Sequence, residues 1–353
     1  MKKKFLFVLR GFRLDGGIEV SSNTYLNYLK KNYNLSVLSE EKSRAPKGEN
    51  IFFTGKKGFT RYGRFKHFVS SASAYIHEFN GLAQSNELIP GLDVVRLGGG
   101  LHSRWIELSG WSKLKVSIDP FHREMLKNED KTLRHPNLKK IIVNSNMVAR
   151  EVLSRYPALE PKIELVRNIV RDDYLVKSNL GILRKPNSLL FVGSGWLRKG
   201  LSVALHALSQ LPACWHLTVV GEDKSKAKFL KLVSALGLEN RVNFLGAIKA
   251  TPDLYLSHEI LLHPAIYEPF PNVAMEALSQ GTMVISTIFS GTSDFTMSDG
   301  VWSVESFDPK KFRDVILDIS EVDNVHREVV RENALKFNYK YFSTRLDNIY
   351  CGL

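Results

Sequence analysis

Short apolar runs alternate with amphipathic, helix-like stretches along most of the chain. This alternation is typical of parallel sheets whose strands are buried by helices on both faces. The predicted strands cover 3–9, 35–40, 91–97, 140–144, 188–193, 216–221, 242–245, 260–263 and 284–287. The predicted helices cover 23–31, 145–154 with Ser145 as N-cap, 200–210 and 226–236. The pattern therefore predicts an α/β protein with two Rossmann-like, doubly wound parallel sheets.

The length of the chain predicts two domains, because 353 residues exceed what one hydrophobic core usually holds. Periodicity fades over 170–187, where a polar stretch intervenes. We therefore predict a first domain over 1–172, a second over 173–335, and a C-terminal helix over 336–353 that packs back on the first. Sheets of this kind bind ligands beyond the carboxyl ends of their strands, so we expect both domains to face a ligand cleft.

The bulk composition is that of an ordinary globular protein, with 44% hydrophobic and 24% charged residues. The two cysteines show no disulfide or metal-ligand spacing, which favours a reducing compartment. The basic N-terminus is followed by an apolar run that is short for a signal peptide and lacks a cleavage site, so we interpret it as a strand. No stretch approaches the ~20 apolar residues of a spanning helix, and we expect a soluble or peripheral protein.

The charge balance is strongly basic, with 49 Lys and Arg against 36 Asp and Glu and a net charge of +13. Such a charge attracts anionic partners, whether nucleic acid, an anionic membrane or phosphorylated sugars. Two stretches, 42–68 and 104–127, mix basic with aromatic residues, as binding to a lipid headgroup layer requires. The alternative is that their aromatic residues belong to the core and their charges to a solvated face. The aromatic residues are Phe52, Phe53, Phe59, Tyr62, Phe65, Phe68, Trp105, Trp111 and Phe121.

The segment 263–281, HPAIYEPFPNVAMEALSQG, holds two glutamates eight positions apart. Two prolines keep the chain around Glu268 out of a helix. Asn272 is the predicted N-cap of a helix over 273–280 that carries Glu276 and ends before a glycine. A helix start suits an anion, and carboxylates beside it can accept hydrogen bonds from sugar hydroxyls.

This segment resembles the paired-glutamate signature of retaining nucleotide-sugar glycosyltransferases of the GT-B fold, the family-4 type. The resemblance implies that Glu268 contacts the donor sugar and Glu276 the ribose of the nucleotide. It also implies donor contacts from Phe270, Asn272 and Val273. The Pro-Phe-Pro-Asn after Glu268 blends the two usual versions of the signature, Pro-Phe-Gly and Gly-Phe-Pro-Asn. Neither a metal nor a cofactor is implied, since the nucleotide sugar is itself the substrate.

Two adjacent cations, Arg198 and Lys199, follow the predicted strand 188–193. Glycosyl transfer passes through an oxocarbenium-like state while negative charge builds on the departing diphosphate, and fixed cations stabilise that charge. The family has Arg-Lys-Gly or a close variant at this position. The resemblance further implies donor roles for Gly16 and Gly17 over the diphosphate, Gly221 near the base, and the N–H groups of Gly291 and Thr292 at the diphosphate.

Within the family, the segments 90–94, 193–200 and 263–265 are most similar to lipopolysaccharide core glucosyltransferases. This likeness implies a UDP-linked hexose donor, a glycolipid or oligosaccharide acceptor of the cell envelope, and work on the cytoplasmic face of an anionic membrane. The pattern departs from theirs at Ser21, where they carry Asp. His102 lies near the position of a family histidine that hydrogen-bonds the reacting sugar, so we take it as a catalytic candidate, with a structural role as the alternative.

Three other functions stay open beside a hexosyltransferase. An epimerase or a phosphorylase could use the same fold, although no motif marks the pyridoxal-binding lysine of a phosphorylase. A non-enzymatic, basic anion-binding protein is the third. No nucleic-acid recognition motif is present, so we expect no nucleic-acid partner. Our candidate catalytic residues are Arg198, Lys199, Glu268 and His102.

Overall fold

The computed structural model describes residues 2–11, 17–40, 50–175, 183–319 and 322–353. The chain forms two compact units. Unit 1 comprises Met1–Val166 and Ser343–Leu353, and unit 2 comprises Arg167–Phe342. The last helix begins in unit 2 and ends in unit 1, where Tyr28 donates a hydrogen bond to Asp347 at 2.6 Å.

Unit 1 is built on a parallel sheet that has seven strands among the described residues, in the order β3-β2-β1-β4-β5-β6-β7. The strands are β1 (Lys4–Leu9), β2 (Asn34–Ser39), β3 (Asn50–Phe53), β4 (Leu82–Ser85), β5 (Val94–Leu97), β6 (Lys140–Val143) and β7 (Ile163–Leu165). The helices are α1 (Gly17–Asn32), α2 (Arg61–Glu78), α3 (His102–Leu108), α4 (Lys113–Ile118), α5 (Pro120–Leu133) and α6 (Asn146–Arg155).

Unit 2 is built on a second parallel sheet, with six strands in the described part, in the order β10-β9-β8-β11-β12-β13. The strands are β8 (Ser188–Val192), β9 (His216–Val220), β10 (Val242–Gly246), β11 (Ile260–His263), β12 (Met283–Thr287) and β13 (Val301–Val304). The helices are α7 (Leu201–Ser209), α8 (Lys226–Ala235), α9 (Pro252–Leu256), α10 (Asn272–Leu278), α11 (Pro309–Ile319), α12 (Asn324–Leu335) and α13 (Tyr339–Cys351). The strand order reverses between β8 and β11, so the carboxyl ends of these two strands flank the crevice where such sheets bind ligands.

The predicted fold class is confirmed, and every predicted strand and helix occurs. Strands such as β8 are buried along their whole length, as parallel strands covered on both faces must be. Helix α11 buries one stripe, Phe312, Ile316 and Ile319, at helical spacing. Ser145 caps α6 as predicted, since its hydroxyl accepts the N–H of Val148 at 3.3 Å.

The sequence analysis missed β3, β4, β7 and β13, and strand β4 shows why. Its sequence, LAQS, has no apolar run, yet all four residues are buried. The hydroxyl of Ser85 donates to the carbonyl of Val8 at 2.8 Å, and Gln84 accepts a hydrogen bond from the Tyr350 hydroxyl. Partners from distant parts of the chain thus satisfy the Ser85 hydroxyl and the side-chain oxygen of Gln84, two of the polar groups that make this strand hard to predict.

The aromatic residues of the two basic stretches divide between the core and the surface of unit 1, so each interpretation holds in part. Phe65, Phe68 and Phe121 are buried. Large apolar side chains that are exposed include Phe52, Phe53, Phe59, Trp111, Leu114 and Ile118. Residues 42–49 of the first stretch lie outside the described residues. None of the described helices is both long and apolar enough to cross a membrane.

Candidate active site

The loop between β8 and α7 carries both predicted cations, and its glycines fix its path. Gly200 has φ 78°, and a Cβ there would lie 2.0 Å from the carbonyl oxygen of Pro264. Only glycine fits a left-handed backbone so close to another chain segment. The carboxylate of Asp223, after β9, accepts the N–H groups of Gly195 at 2.8 Å and Trp196 at 3.0 Å. The loop is therefore held from both sides of β8.

Hydrogen bonds also set the protonation state of Asp223, which lies two residues after Gly221. Burial raises the pKa of Asp223, but hydrogen bonds from Ser225, Trp196 and Gly195 lower it by more, so the pKa lies below its ordinary value. Gly221 directly follows β9, and its N–H donates to the carbonyl of Gly246 at 2.7 Å. In this structure Asp223 serves to position the loop of Arg198 and Lys199.

Arg198, Lys199 and Glu268 meet as one cluster. Arg198 Nη1 donates to Glu268 Oε2 at 2.8 Å and to the carbonyl of Tyr267 at 3.0 Å. Lys199 Nζ lies 3.9 Å from the same carboxylate oxygen. The side chains of Lys199 and Glu268 are only 14% and 19% exposed, whereas that of Arg198 is 41% exposed. The arrangement presents two cations and one carboxylate at the crevice between β8 and β11.

Burial and the neighbouring charges set the protonation states in this cluster. Burial raises the pKa of Glu268, but Lys199 and Arg198 lower it by more, so the carboxyl group titrates below its ordinary range. Burial lowers the pKa of Lys199 and Arg198 lowers it further, against the opposing effects of Glu268 and Glu276. Glu268 is thus a stable carboxylate, and Lys199 loses its proton more readily than a surface lysine.

His263, at the end of β11, is a site residue to which the sequence analysis gave no role. Its side chain is buried, and its Nε2 has no hydrogen-bond partner in the described part of the chain. Burial and the charge of Lys199 lower the pKa of His263 to about 3, so the imidazole is neutral. A buried, unpaired ring nitrogen next to a cationic cluster is a donor or acceptor available to a ligand.

Glu276 lies on α10 in a second, neighbouring network. Its Oε2 accepts the hydroxyl of Tyr255 at 2.6 Å, and its Oε1 lies 3.4 Å from Nε of Arg171. Burial raises the pKa of Glu276 above its ordinary value, because Arg171 and the Tyr255 hydrogen bond only partly compensate. Both glutamates of the signature raise the pKa of Lys199, Glu268 more than Glu276.

The start of α10 differs from the prediction. The helix begins at Asn272 with Pro271 as N-cap and ends at Leu278, so Asn272 is not the cap and the helix stops two residues before Gln280. The side-chain oxygen of Asn272 accepts from Asn168 Nδ2 at 2.7 Å, a long-range partner that competes with capping. Phe270 is buried against Phe295, with ring centroids 6.1 Å apart, and Val273 packs against the hydrophobic core.

The loop after β12 pairs with the backbone of Glu268. The N–H of Glu268 donates to the carbonyl of Phe289 at 3.1 Å, and the N–H of Gly291 donates to the carbonyl of Glu268 at 2.9 Å. The Gly291 N–H that the resemblance assigned to the diphosphate is therefore already used within the protein. Thr292 is buried, and its hydroxyl donates to the hydroxyl of Ser290 at 2.8 Å. This loop supports Glu268 from behind.

The candidates of unit 1 lie in a different environment. Gly17 is the first residue of α1, and Gly16 lies outside the described residues. His102 Nε2 is 2.9 Å from His122 Nδ1, and the two rings are stacked, with centroids 5.1 Å apart. Burial and His122 lower the pKa of His102 to about 4, so its ring is neutral. The structure commits His102 to a partner on α5 that the sequence did not indicate.

A polar cluster at the carboxyl end of the unit 1 sheet was also missed. Arg10 follows β1 and Glu40 follows β2, with Arg10 Nη2 3.4 Å from Glu40 Oε2. Several buried atoms here have no hydrogen-bond partner among the described residues, namely Glu40 Oε1, Asn86 Oδ1, Asn144 Oδ1, Gln84 Nε2 and Ser39 Oγ. The available signal was that Arg10, Glu40 and Asn144 lie at the carboxyl ends of the predicted strands 3–9, 35–40 and 140–144. Unsatisfied buried groups require an explanation, and a polyhydroxylated ligand supplies one.

The described residues contain no group of three or more His, Cys, Asp and Glu side chains arranged to hold a metal ion.

Comparison with known proteins shows which proteins the chain is similar to. Residues 175–337 match the family model described as glycosyl transferases group 1. The chain is 30% identical over 166 residues to the lipopolysaccharide glucosyltransferase WaaG of Escherichia coli (strain K12), covering 45% of this chain and 44% of that protein. It is 28% identical over 142 residues to the lipopolysaccharide core biosynthesis glycosyltransferase LpsE of Rhizobium meliloti (strain 1021), covering 39% of this chain and 38% of that one. The chain thus spans less than half the length of these two relatives.

Solved structures share the fold over almost the whole chain. The crystal structure of WaaG, a glycosyltransferase involved in lipopolysaccharide biosynthesis, superposes with a TM-score of 0.80 at 20% identity, covering 98% of this chain and 99% of that one. Anabaena Alr3699/HepE in complex with UDP and glucose gives a TM-score of 0.71 at 17% identity, covering 99% of this chain and 100% of that one. The predicted GT-B fold is confirmed.

Proposed function

We propose that this protein is a retaining, metal-independent hexosyltransferase. The proposal starts from the match of residues 175–337 to the group 1 glycosyltransferase family model. The protein transfers a hexose from a UDP-linked donor to a glycolipid or oligosaccharide acceptor of the cell envelope, such as lipopolysaccharide core. The carrying observation is the cluster of Arg198, Lys199 and Glu268 at the switch point of the unit 2 sheet. The similarity to two lipopolysaccharide glycosyltransferases supports the acceptor class.

The cluster can interact with both parts of the donor that separate when the bond breaks, the diphosphate and the sugar. When the anomeric C–O bond breaks, its electron pair goes to the departing diphosphate, whose charge the guanidinium fork and the ammonium stabilise. The carboxylate of Glu268 is held in place by Arg198 and by the backbone pairing of its own residue. A carboxylate fixed in this way can accept hydrogen bonds from hydroxyl groups of the donor sugar. No protein nucleophile is assigned.

Glu276 fits the nucleotide end of the donor. A ribose diol offers two hydroxyl donors, and the ion-pair partner of Glu276 Oε1 among the described residues is Arg171 at 3.4 Å, which leaves this oxygen capacity to accept them. The rigid Tyr255 hydrogen bond holds the carboxyl group on the inner side of α10. The two glutamates therefore have different tasks, sugar for Glu268 and ribose for Glu276.

The acceptor side of the proposal is supported by the polar cluster of unit 1. Its unpaired atoms on Glu40, Asn86 and Asn144 include three hydrogen-bond acceptors, which lie beyond the carboxyl ends of β2, β4 and β6. Saccharide hydroxyls are donors and would satisfy them. Such a cluster can bind the hydroxyl groups of a saccharide acceptor. Unit 1 would then bind the acceptor, and unit 2 the donor.

The location at a membrane is supported by the surface of unit 1. Helix α4 exposes Leu114 and Ile118 at a spacing of one turn, with Trp111 before it. Phe52, Phe53 and Phe59 add exposed aromatic area on the same unit. With a net charge of +13, apolar anchors beside basic residues favour the interface of an anionic membrane. We therefore propose reversible binding to the cytoplasmic face of the membrane.

A donor panel tests the reaction. Purified protein is incubated with UDP-, GDP- and ADP-linked hexoses, and release of the nucleoside diphosphate is measured with and without a glycolipid extract. We expect acceptor-stimulated release from one donor class, and a loss of roughly 10²-fold or more in Arg198→Ala. Arg313→Ala, at a partly buried arginine on α11 that pairs with the adjacent Asp314, is the matched control and should keep full activity.

The same panel separates the alternatives. An epimerase converts the donor sugar without releasing the nucleoside diphosphate, and a phosphorylase needs inorganic phosphate. Absence of any conversion, together with unchanged melting temperature for every donor, would contradict an enzyme of this class and favour a basic binding protein.

A further inference from the structure

A groove of about 530 Å³ opens between α2 and α5 of unit 1. Its charged lining is Lys66 and His77 from α2, and Lys127, Lys131 and Glu124 from α5, with His135 just beyond that helix. Three lysines and two histidines thus face one carboxylate. The groove belongs wholly to unit 1, and none of its residues was assigned a role above.

The groove lies at the other end of the sheet from the polar cluster of Glu40. Pro90 and Gly91, which line it, precede β5, and His135 and Asn137 precede β6. The floor of the groove is therefore at the amino ends of these strands, whereas Arg10 and Glu40 follow the carboxyl ends of β1 and β2. A ligand in the groove would not occupy the proposed acceptor site.

The lysines of the groove have no anionic partner in the part of the chain that the structure describes. None of Lys66, Lys127 and Lys131 forms an ion pair with a carboxylate of the described residues. Lys127 and Lys131 stand four positions apart on α5, a spacing at which like charges repel. Glu124 accepts from Asn128 Nδ2 at 3.3 Å. The charge of the groove is therefore left for a ligand to balance.

The walls of the groove are preset. Phe65 of α2 and Phe121 of α5 meet edge to face, with centroids 5.4 Å apart, and the guanidinium of Arg61 lies 3.7 Å over the Phe121 ring. His135 is fixed as well, because its Nδ1 accepts the N–H of Asn137 at 3.2 Å, which leaves Nε2–H as the donor. A prearranged pocket needs less ordering when a ligand binds.

We infer that this groove binds a phosphoryl group carried on a saccharide or on a lipid headgroup. Compact ammonium groups and a fixed imidazole N–H suit the oxygens of a phosphate ester, and the volume is that of a small-ligand site. The inference rests on the proposed function only for the source of the ligand, since a glycolipid and its membrane both carry phosphoryl groups. The groove would hold such a group at a distance from the reacting atoms and so orient unit 1.

Calorimetric titration with glucose 6-phosphate, and with glucose as the neutral control, tests the ligand chemistry. We expect binding of the phosphorylated sugar alone, weakened by salt. The double variant Lys127→Glu/Lys131→Glu should lose more than about tenfold in affinity, as the removal of a phosphate contact does. Lys228→Glu/Lys231→Glu on α8 makes the same change of charge on an exposed face of unit 2 and should bind like the wild type.

Vesicles distinguish the source. Flotation with phosphatidylcholine alone and with added phosphatidic acid shows whether the groove variant also loses binding to the anionic lipid. If it does, the headgroup is the ligand; if only glucose 6-phosphate binding is lost, the ligand is a phosphorylated glycan. Equal affinity for glucose and glucose 6-phosphate, or equal losses in the groove and α8 variants, would overturn the site.

Two control measurements test whether the loss of binding comes from charge reversal or from a general loss of function. The neutral variant Lys127→Gln/Lys131→Gln, with an unchanged melting temperature, should show the same loss without reversing the charge. Release of nucleoside diphosphate from the donor in the absence of acceptor should be unchanged in all groove variants. A wild-type protein that releases no nucleoside diphosphate, with or without acceptor, would contradict the proposed function and leave the binding result to decide the groove.

Discussion

Replacing Lys199 by arginine should abolish an alkaline loss of activity that the wild-type protein shows. Lys199 Nζ lies 3.9 Å from Glu268 Oε2, and burial lowers its pKa below the 10.5 of an ordinary lysine. Because the ammonium form stabilises the departing diphosphate, kcat/KM should fall as the pH rises through this lowered pKa. The bound diphosphate raises the pKa of Lys199, so the fall in kcat should come at a higher pH.

The size of the effect follows from the loss of one preorganised charge. Removing such a contact costs roughly 10²–10³-fold in turnover, or about 2.7–4 kcal/mol. Lys199→Ala should show this loss already at neutral pH. Lys199→Arg keeps a charge that does not titrate in this range, so its rate is reduced by altered geometry but should show no alkaline fall.

Stability should respond with the opposite sign. The pKa of Lys199 is lower in the folded than in the unfolded chain, so between that value and 10.5 the unfolded chain binds more protons. Folding stability linked to Lys199 therefore rises with pH in this window, while activity falls. The difference in melting temperature between the wild type and Lys199→Met, followed across the window, isolates this contribution.

Initial rates of nucleoside diphosphate release, measured from neutral pH to pH 10.5 at low and saturating donor, give both profiles. Lys228→Arg, on the exposed face of α8, is the control and should keep the wild-type profile. An alkaline fall that persists unchanged in Lys199→Arg, or near-normal turnover in Lys199→Ala, would refute the assignment of Lys199 to the leaving group.

Four further predictions address the remaining parts. Glu276→Gln should weaken UDP binding in calorimetry and remove its pH dependence, because the raised pKa of Glu276 makes wild-type affinity fall as pH drops through it; equal pH dependence in both proteins would contradict the ribose role. Gly200→Ala should lower the free energy of unfolding by roughly 2–4 kcal/mol, from left-handed strain and overpacking, and should also lower turnover; urea unfolding measures the first. Glu40→Gln should raise KM for the acceptor while UDP affinity stays constant, and a change in UDP affinity instead would remove it from the acceptor site. Leu114→Ser should reduce flotation with anionic vesicles at low salt, whereas equal binding of the wild type to neutral vesicles would argue against the proposed membrane surface.

The sequence predicted the sheets well because burial on both faces leaves a direct trace in composition. A strand such as β8 is an apolar run, and its helix α7 begins right after the Arg-Lys-Gly loop. Strand β4 left no such trace, because Gln84 and Ser85 are polar, and the partners of the Gln84 side-chain oxygen and the Ser85 hydroxyl, Tyr350 and Val8, are remote in the chain. The local sequence pattern indicates which residues are buried, but it does not identify hydrogen-bond partners that are distant in the chain.

The same limit applies to the candidate sites. Spacing placed Glu268 and the two cations on neighbouring loops, and the carboxyl ends of adjacent parallel strands then brought them into contact. By contrast, Asn272 reads as a helix cap by its residue type, but its side chain binds Asn168 instead. His102 reads as a lone loop histidine, although it stacks on His122 twenty positions away. Contacts between side chains on separate elements decided both outcomes.

The most direct test of the central claim is the mass and the anomeric configuration of the product. A defined glycolipid acceptor is incubated with the UDP-hexose that the panel selects, and the product is examined by mass spectrometry and by the anomeric proton coupling in NMR. The account predicts an acceptor heavier by one hexose residue, joined through the same anomeric configuration as the donor, with no product from Glu268→Ala. An inverted linkage, or a free hexose with the acceptor unchanged, would contradict it.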